Sequence, residues 1–272
     1  MEQFEKAERL RALHRPGEPL VLVNAWDAAS ARVIVWAGAP AIATSSAAAA
    51  FALGYPDGQR ISREEMLGSV GGVVRAVDAP VTADMEAGYG DLPADAATTA
   101  RGVVEIGAVG LNLEDTTAFG LLPVEQFVAK IAAVRTVAEE TGVPLVLNAR
   151  ADIFIGEIGH PDTRLEHAIQ RGRAYREAGA DCVFVPAVAD APTIGTLVQE
   201  IGGCVSVLAT PRTPTVAELA RLGVARVSLG SGPYFAALSH ALRIADEVHG
   251  MGTFASLGET QITHADAQRL LS

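Results

Sequence analysis

Short apolar runs alternate with amphipathic stretches along almost the whole chain. The runs fall at Pro19 to Ala25, Ala41 to Ser45, Ala79 to Met85, Val109 to Leu113, Pro144 to Ala149, Cys182 to Pro186, Cys204 to Ala209 and Ala225 to Leu229. Each has the length of a strand and gives way to a polar or glycine-bearing loop. Between them, segments such as VEQFVAKIAAVRTVAEE and RLEHAIQRGRAYREAGA place apolar residues three and four apart, the period of a helix with one buried face, and several stop at Gly. Eight such units in 272 residues predict an α/β fold of the (β/α)8 TIM barrel type, one domain spanning 1–272 with a helical extension at its C-terminal end. A doubly wound open sheet fits less well, because it needs fewer strands and the chain has no GxGxxG or Walker loop. No Pro/Ser-rich linker or low-complexity tract marks a boundary.

A barrel gathers its chemistry at the C-terminal ends of its strands. In VTADMEAGYG that rule places Asp84 and Glu86 at the end of the third strand, just before the turn Gly88-Tyr89-Gly90. Equivalent positions hold Asn24, Trp26 and Asp27 after the first strand, and Thr44, Ser45 and Ser46 after the second. Glu114 and Asp115 follow the fourth, and Asn148, Arg150 and Asp152 the fifth. Acids at strand ends commonly do no more than cap the next helix, a role open to Asp27, Asp57 and Asp115. Three carboxylates with an arginine on neighbouring strands read instead as a metal and anion site.

Composition narrows the partners. The formal charge of −11, from 32 acids against 21 bases, leaves no basic face for nucleic acid or an anionic membrane. The leading MEQFEKAERLRALH is charged and helical rather than a signal peptide, and no run is long enough to span a bilayer, so a cytoplasmic protein is expected. Cys182 and Cys204 lie in apolar runs without CxxC spacing, which predicts reduced, packed thiols. Asp84, Glu86 and Glu114 offer hard oxygen ligands, and none of the six His residues lies at a strand end. That donor set suits Mg2+, with Mn2+ as the alternative. Magnesium keeps most of its waters, so Asp84 is expected on the metal and the other acids on its waters. Arg150 supplies the positive centre an anionic substrate needs, and the N–H groups around Ser45 to Ala47 an anion nest. A small 2-oxo acid fits this arrangement.

NAWDAASARV, ATSSAAAAFALGYPDG, ADMEAGYG, NLEDT, NARAD and GVARVSLGS, in this order, resemble the isocitrate lyase and phosphoenolpyruvate mutase superfamily over nearly the whole chain. The resemblance implies a barrel whose last helix is exchanged between subunits, a homo-oligomer built as a dimer of dimers, and a Mg2+ site for 2-oxo acids or their enolates. It matches Asp84 to the direct metal ligand and Glu86 and Glu114 to the acids around the metal's waters. Asp57 matches the acid of the mobile segment after strand two, Ser45, Ser46 and Ala47 the carboxylate-binding backbone, and Arg150 the substrate arginine. Trp26 falls beside them as a further substrate contact.

Departures from the family pattern carry information. Glu86 stands where the family usually has Asp, one methylene shorter. After Glu114 the text is DTTAFGLLP, without the Cys of the lyases' KKCGH-like loop or the Lys and Asn of the mutase loop. FVPA and VLATP lack the Glu and Asn that help bind larger lyase substrates, which implies a smaller one. A Schiff-base aldolase is excluded in practice, because Lys6 and Lys130 lie in the leading segment and on a helix. The expectation is a Mg2+-dependent lyase or hydrolase that cleaves a C–C or C–P bond of a small 2-oxo or 2-hydroxy acid through a metal-bound enolate, with Asp57, Arg150 and Glu114 in catalytic roles. Oxaloacetate-like and phosphonopyruvate-like compounds come first. The alternatives are a 2-oxo-acid-binding protein that has lost the lyase loop and a phosphonomutase of the phosphoenolpyruvate mutase kind. Tyr89, Asp57 and water stay open as the acid that protonates the enolate.

Overall fold

Nine strand segments form one parallel sheet rolled into a barrel in the computed structural model, which describes residues 2–117 and 120–271. They are β1 (Leu20–Leu22), β2 (Asn24–Ala25), β3 (Ile42–Thr44), β4 (Val81–Asp84), β5 (Gly110–Glu114), β8 (Val146–Arg150), β9 (Cys182–Val185), β10 (Val205–Leu208) and β11 (Arg226–Ser228). β6 (Thr116–Thr117) and β7 (Gly120–Leu121) make a separate small hairpin. The barrel sheet runs β1-β11-β10-β9-β8-β5-β4-β3-β2. β1 and β2 are two pieces of one run broken at Val23, the first paired to β11 and the second to β3, so the ring closes through them. Counted that way the barrel has the eight strands expected, in the expected places.

Around it lie α2 (Ala28–Trp36), α3 (Ser46–Ala52), α4 (Arg63–Ala76), α5 (Pro93–Glu105), α6 (Val124–Thr141), α7 (Pro161–Glu177), α8 (Ala191–Ile201), α9 (Val216–Arg221), α10 (Gly232–Gly250) and α11 (His264–Leu271). Local signals set their ends. Asp27 caps α2 by accepting from Ser30 N–H at 2.7 Å, Ser62 and Glu65 form a capping box on α4, and α6 stops at Gly142 with φ of 68°. No helix among the described residues is long and apolar enough to cross a membrane.

The preceding helix, α1 (Gln3–Ala12), lies across the N-terminal end of the barrel. Its Leu10 is fully buried against Gly110, where a Cβ would come within 3.0 Å of the leucine side chain and 2.8 Å of the Val146 carbonyl. Arg11 pairs with Asp181 and donates to the Pro144 carbonyl, and Gln3 donates to the carbonyls of Ala108 and of Val104 in the last turn of α5; Asp181, Pro144 and Ala108 each lie just before a strand. That end is shut.

The interior of the barrel is more polar than the apolar runs suggest. Arg226 is fully buried, donating to Asn112 Oδ1 at 3.2 Å, and Asn148 donates to the same oxygen at 2.8 Å. Cys182 and Cys204 are joined as a disulfide, which corrects the expectation of free thiols. Their 22-residue separation is one strand-to-strand repeat: Val183 pairs with Val205, so the preceding residues face each other with Cα atoms 4.6 Å apart. CxxC spacing tests for a local pair and is blind to partners on adjacent parallel strands.

Candidate active site

The open end of the barrel holds a pocket of about 460 Å³. Asp84, Glu86, Glu114, Arg150, Ser45, Ser46, Ala47 and Asp57 all line it, as the strand-end rule requires. Trp26 does not. It packs edge-on to Tyr234 with ring centroids 5.5 Å apart and lines a separate apolar cleft with Val33, Pro233 and Ile262. Tyr89 is also outside the pocket lining, 3.5 Å from Glu86 Oε1 through its hydroxyl.

Asp84 ends β4 with its backbone N–H on Thr44 Oγ1 at 2.9 Å. Its Oδ2 accepts from both the N–H and the hydroxyl of Ser46, at 2.9 and 2.8 Å. Ser46 N–H is therefore committed to a protein carboxylate. Asp84 Oδ1 is buried and has no hydrogen-bond partner. A buried carboxylate oxygen left bare is costly unless a cation or water meets it.

Glu86 lies beyond the strand with φ of 50° and accepts from Gln59 N–H at 2.5 Å, so the segment after β3 rests directly on it. Burial, and then the charge of Asp84, push its carboxyl up to about 7. Glu114 is ion-paired to Arg150, yet burial outweighs that charge and holds its carboxyl well above the ordinary range. Arg150 is itself gripped from behind by Asp152, Nε on Oδ1 at 2.5 Å and Nη2 on Oδ2 at 2.8 Å. Asp152 in turn accepts from Thr116 Oγ1 at 2.6 Å, and its N–H donates to Asp115 Oδ1 at 2.9 Å. Asp115 is fully buried and accepts from Tyr175 and Arg171 as well, at 2.6 and 2.9 Å, so it braces the arginine and caps nothing. Burial alone would weaken the guanidinium's hold on its proton, and the charges of Glu114 and Asp152 reverse that.

Among the described residues no three His, Cys, Asp or Glu side chains converge closely enough to cage a cation unaided. Glu114 is turned to Arg150 and Glu86 to Gln59. The residues still fit a hydrated ion such as Mg2+, which takes one or two protein carboxylates directly and keeps its waters. Asp84 Oδ1 is the unpartnered oxygen such an ion would meet, with the Glu86 and Glu114 carboxylates on the same pocket lining.

The remainder of the wall is mostly apolar, from Ile155, Phe184, Pro186, Leu208 and Phe235. Asn24 joins it, its Oδ1 accepting from Ser228 Oγ and the N–H groups of Leu229 and Gly230 at 2.9–3.0 Å. Sequence reasoning missed Phe235 and Ser231, contributed from the start of α10, the latter 3.0 Å from Ser45 Oγ. Ser231 closes the motif GVARVSLGS three residues after β11, a strand-end position that could have marked it, whereas Phe235 lies a turn into α10 and carries no such signal. In DTTAFGLLP, Thr116, Thr117, Gly120 and Leu121 form the small hairpin, while Ala118 and Phe119 lie outside the described residues.

Comparison with known proteins gives the chain its family. The family model described as phosphoenolpyruvate phosphomutase matches residues 10–249. An uncharacterized protein of Mycobacterium tuberculosis strain H37Rv is 36% identical over 263 residues, 96% of this chain and 97% of that one. Oxaloacetate decarboxylase 1 of Pseudomonas fluorescens strain Pf0-1 is 30% identical over 257 residues, 90% of this chain and 86% of that one. A solved structure from Burkholderia cenocepacia J2315, provisionally described as a lyase/mutase, superposes with a TM-score of 0.90 at 38% identity and covers 98% of this chain and 96% of that one. The chain belongs to the phosphoenolpyruvate phosphomutase family, within the isocitrate lyase/phosphoenolpyruvate mutase superfamily. It is an enzyme of the carbon–carbon or carbon–phosphorus lyase type.

Proposed function

We propose that the enzyme cleaves a C–C or C–P bond of a small 2-oxo acid, or the related 2-hydroxy acid, so that an enolate is the departing fragment, with Mg2+ as its cofactor. The observation that carries this reading is the bare, buried Oδ1 of Asp84, set among Glu86 and Glu114 with Arg150 as the basic side chain of the pocket lining. Crowded acids that hold one another's protons are a site short of positive charge. When bound, the metal would supply Lewis-acid stabilisation of the oxygen on which negative charge develops.

The chain's own residues do the rest. Arg150 binds and orients the substrate carboxylate, and its grip by Asp152 fixes the plane of the guanidinium before the substrate arrives. Ser45, Ser46 and Ala47 border the same end of the pocket, and Asp57 stands exposed at the rim. The apolar wall excludes water from the enolate carbon and offers no cationic side chain for a bulky tricarboxylate. Oxaloacetate-like and phosphonopyruvate-like acids lead the candidates, the first supported by the likeness to oxaloacetate decarboxylase 1.

On α10, Phe235, Leu238 and Leu242 are 50%, 48% and 62% exposed, an apolar stripe on a helix with few buried residues. A second copy of this chain covers that stripe in our reading, joining subunits in a dimer of dimers.

The test is turnover of a panel of 2-oxo and 2-hydroxy acids with Mg2+ or Mn2+, beside calorimetry with Mg2+ and oxalate. Metal-dependent cleavage of one panel member is expected. Tight oxalate binding with no turnover on any member would favour the 2-oxo-acid-binding alternative.

A further inference from the structure

Lys130 has no place in the chemistry described so far, yet it is one of the largest fully buried side chains in the molecule. It projects from α6 and its ammonium donates to two backbone carbonyls, Ala87 O at 2.5 Å and Gly90 O at 2.7 Å. Taking an ammonium out of water is costly, so a lysine in such a position needs strong acceptors and a reason. The acceptors belong to the loop that leaves β4 carrying Glu86.

That loop is strained. Glu86 and Tyr89 take φ of 50° and 60°, left-handed values that non-glycine residues rarely hold, and Gly88 and Gly90 between and after them are at 87° and 153°. One local bond braces it, from Gly88 N–H to the Met85 carbonyl at 2.9 Å. Each of its carbonyls is held from outside: Glu86 O accepts from Glu114 N–H at 2.9 Å, Gly88 O from Thr99 Oγ1 at 2.7 Å and Tyr89 O from Arg63 Nη2 at 2.8 Å. Lys130 takes the remaining two, and it alone among these donors spans the Gly88-Tyr89 turn.

We infer that Lys130 is a positioning residue, which fixes the backbone of residues 86–90 in the left-handed shape that aims the Glu86 carboxylate into the pocket. It does so from α6, without touching the pocket itself. The inference rests on the proposed role of Glu86 only for its consequence in binding, not for the geometry.

Two measurements on full-length Lys130→Met separate these. Hydrogen–deuterium exchange of the peptide covering residues 86–90 should quicken at least tenfold, with peptides from β8 to β11 unchanged. At a temperature where circular dichroism shows both proteins folded, affinity for oxalate in the presence of Mg2+ should fall at least tenfold, a change that lost stability alone would not produce. Unchanged exchange at 86–90, or an equal rise throughout the barrel, would overturn the inference. If the wild-type protein binds neither Mg2+ nor oxalate, the proposed function fails while the exchange data still decide on Lys130. Should Lys130→Met not fold, Lys130→Gln, whose amide nitrogen sits one bond nearer the main chain and cannot span both carbonyls, is measured instead, and exchange at 86–90 like that of the wild type overturns the inference.

Discussion

Ser46 gives both of its donors to a single oxygen of Asp84, at 2.9 and 2.8 Å, and so leaves the other carboxylate oxygen buried without a partner. The pairing orients the acid and leaves one oxygen for a cation. Asp84→Asn should abolish Mg2+ binding in calorimetry, and Ser46→Ala should weaken it by about 1.5–3 kcal/mol, the range for a hydrogen bond to a charged group. Wild-type metal affinity in Asp84→Asn would remove Asp84 from the metal.

Arg150→Lys keeps the charge and loses the fork. An ammonium cannot hold Asp152 with two parallel bonds and face Glu114 and a substrate carboxylate at the same time. Oxalate binding should weaken by about 2 kcal/mol or more. Equal affinity in the two proteins would show that Arg150 serves the fold alone.

His14 gives a pH dependence away from the pocket. Burial, and next the charge of Arg226 with Nη1 3.4 Å from His14 Nε2, lower its pKa from 6.5 to about 4. A histidine whose folded value is depressed stabilises the fold above its unfolded pKa and loses that contribution as pH falls through the folded one. The wild-type melting temperature should therefore drop between about pH 6.5 and pH 4 more steeply than that of His14→Gln. Parallel curves would assign the acid sensitivity to other groups.

Placing charge on α10 tests the assembly. Leu238→Glu with Leu242→Glu leaves Tyr234 and Phe235, at the pocket end of the helix, in place. Light scattering should report a smaller species than the wild type, with the circular dichroism spectrum retained. Truncation after Gly230 goes further, because it strips Phe235 from the pocket and the rings that pack on Trp26 and Phe51, and should give insoluble protein. A wild-type monomer in light scattering would sink the oligomer reading.

The strand positions were legible because period-two and period-3.6 patterns are local properties of the chain, and the strand-end rule then converted Asp84, Glu86, Glu114 and Arg150 into one site. What escaped was set by partners far along the chain. Asp152 looked like one more polar strand-end residue until Arg150 folded back on it. Arg226 sat inside the apolar run ending GVARVSLGS, and its burial depends on Asn112, 114 residues away. The disulfide required the β9–β10 register, and Trp26, adjacent in sequence to strand-end residues, is drawn off by Tyr234.

With α1 stopping the N-terminal end, the barrel is a blind well. Substrate, solvent and both halves of a cleaved acid share one opening, bordered by Asp57 and Gly58 on one side and by Pro211 and Phe235 on others. If Asp84 and Arg150 hold one fragment as proposed, a shared exit predicts that the fragment nearer the rim departs first, an order that product-inhibition patterns would reveal.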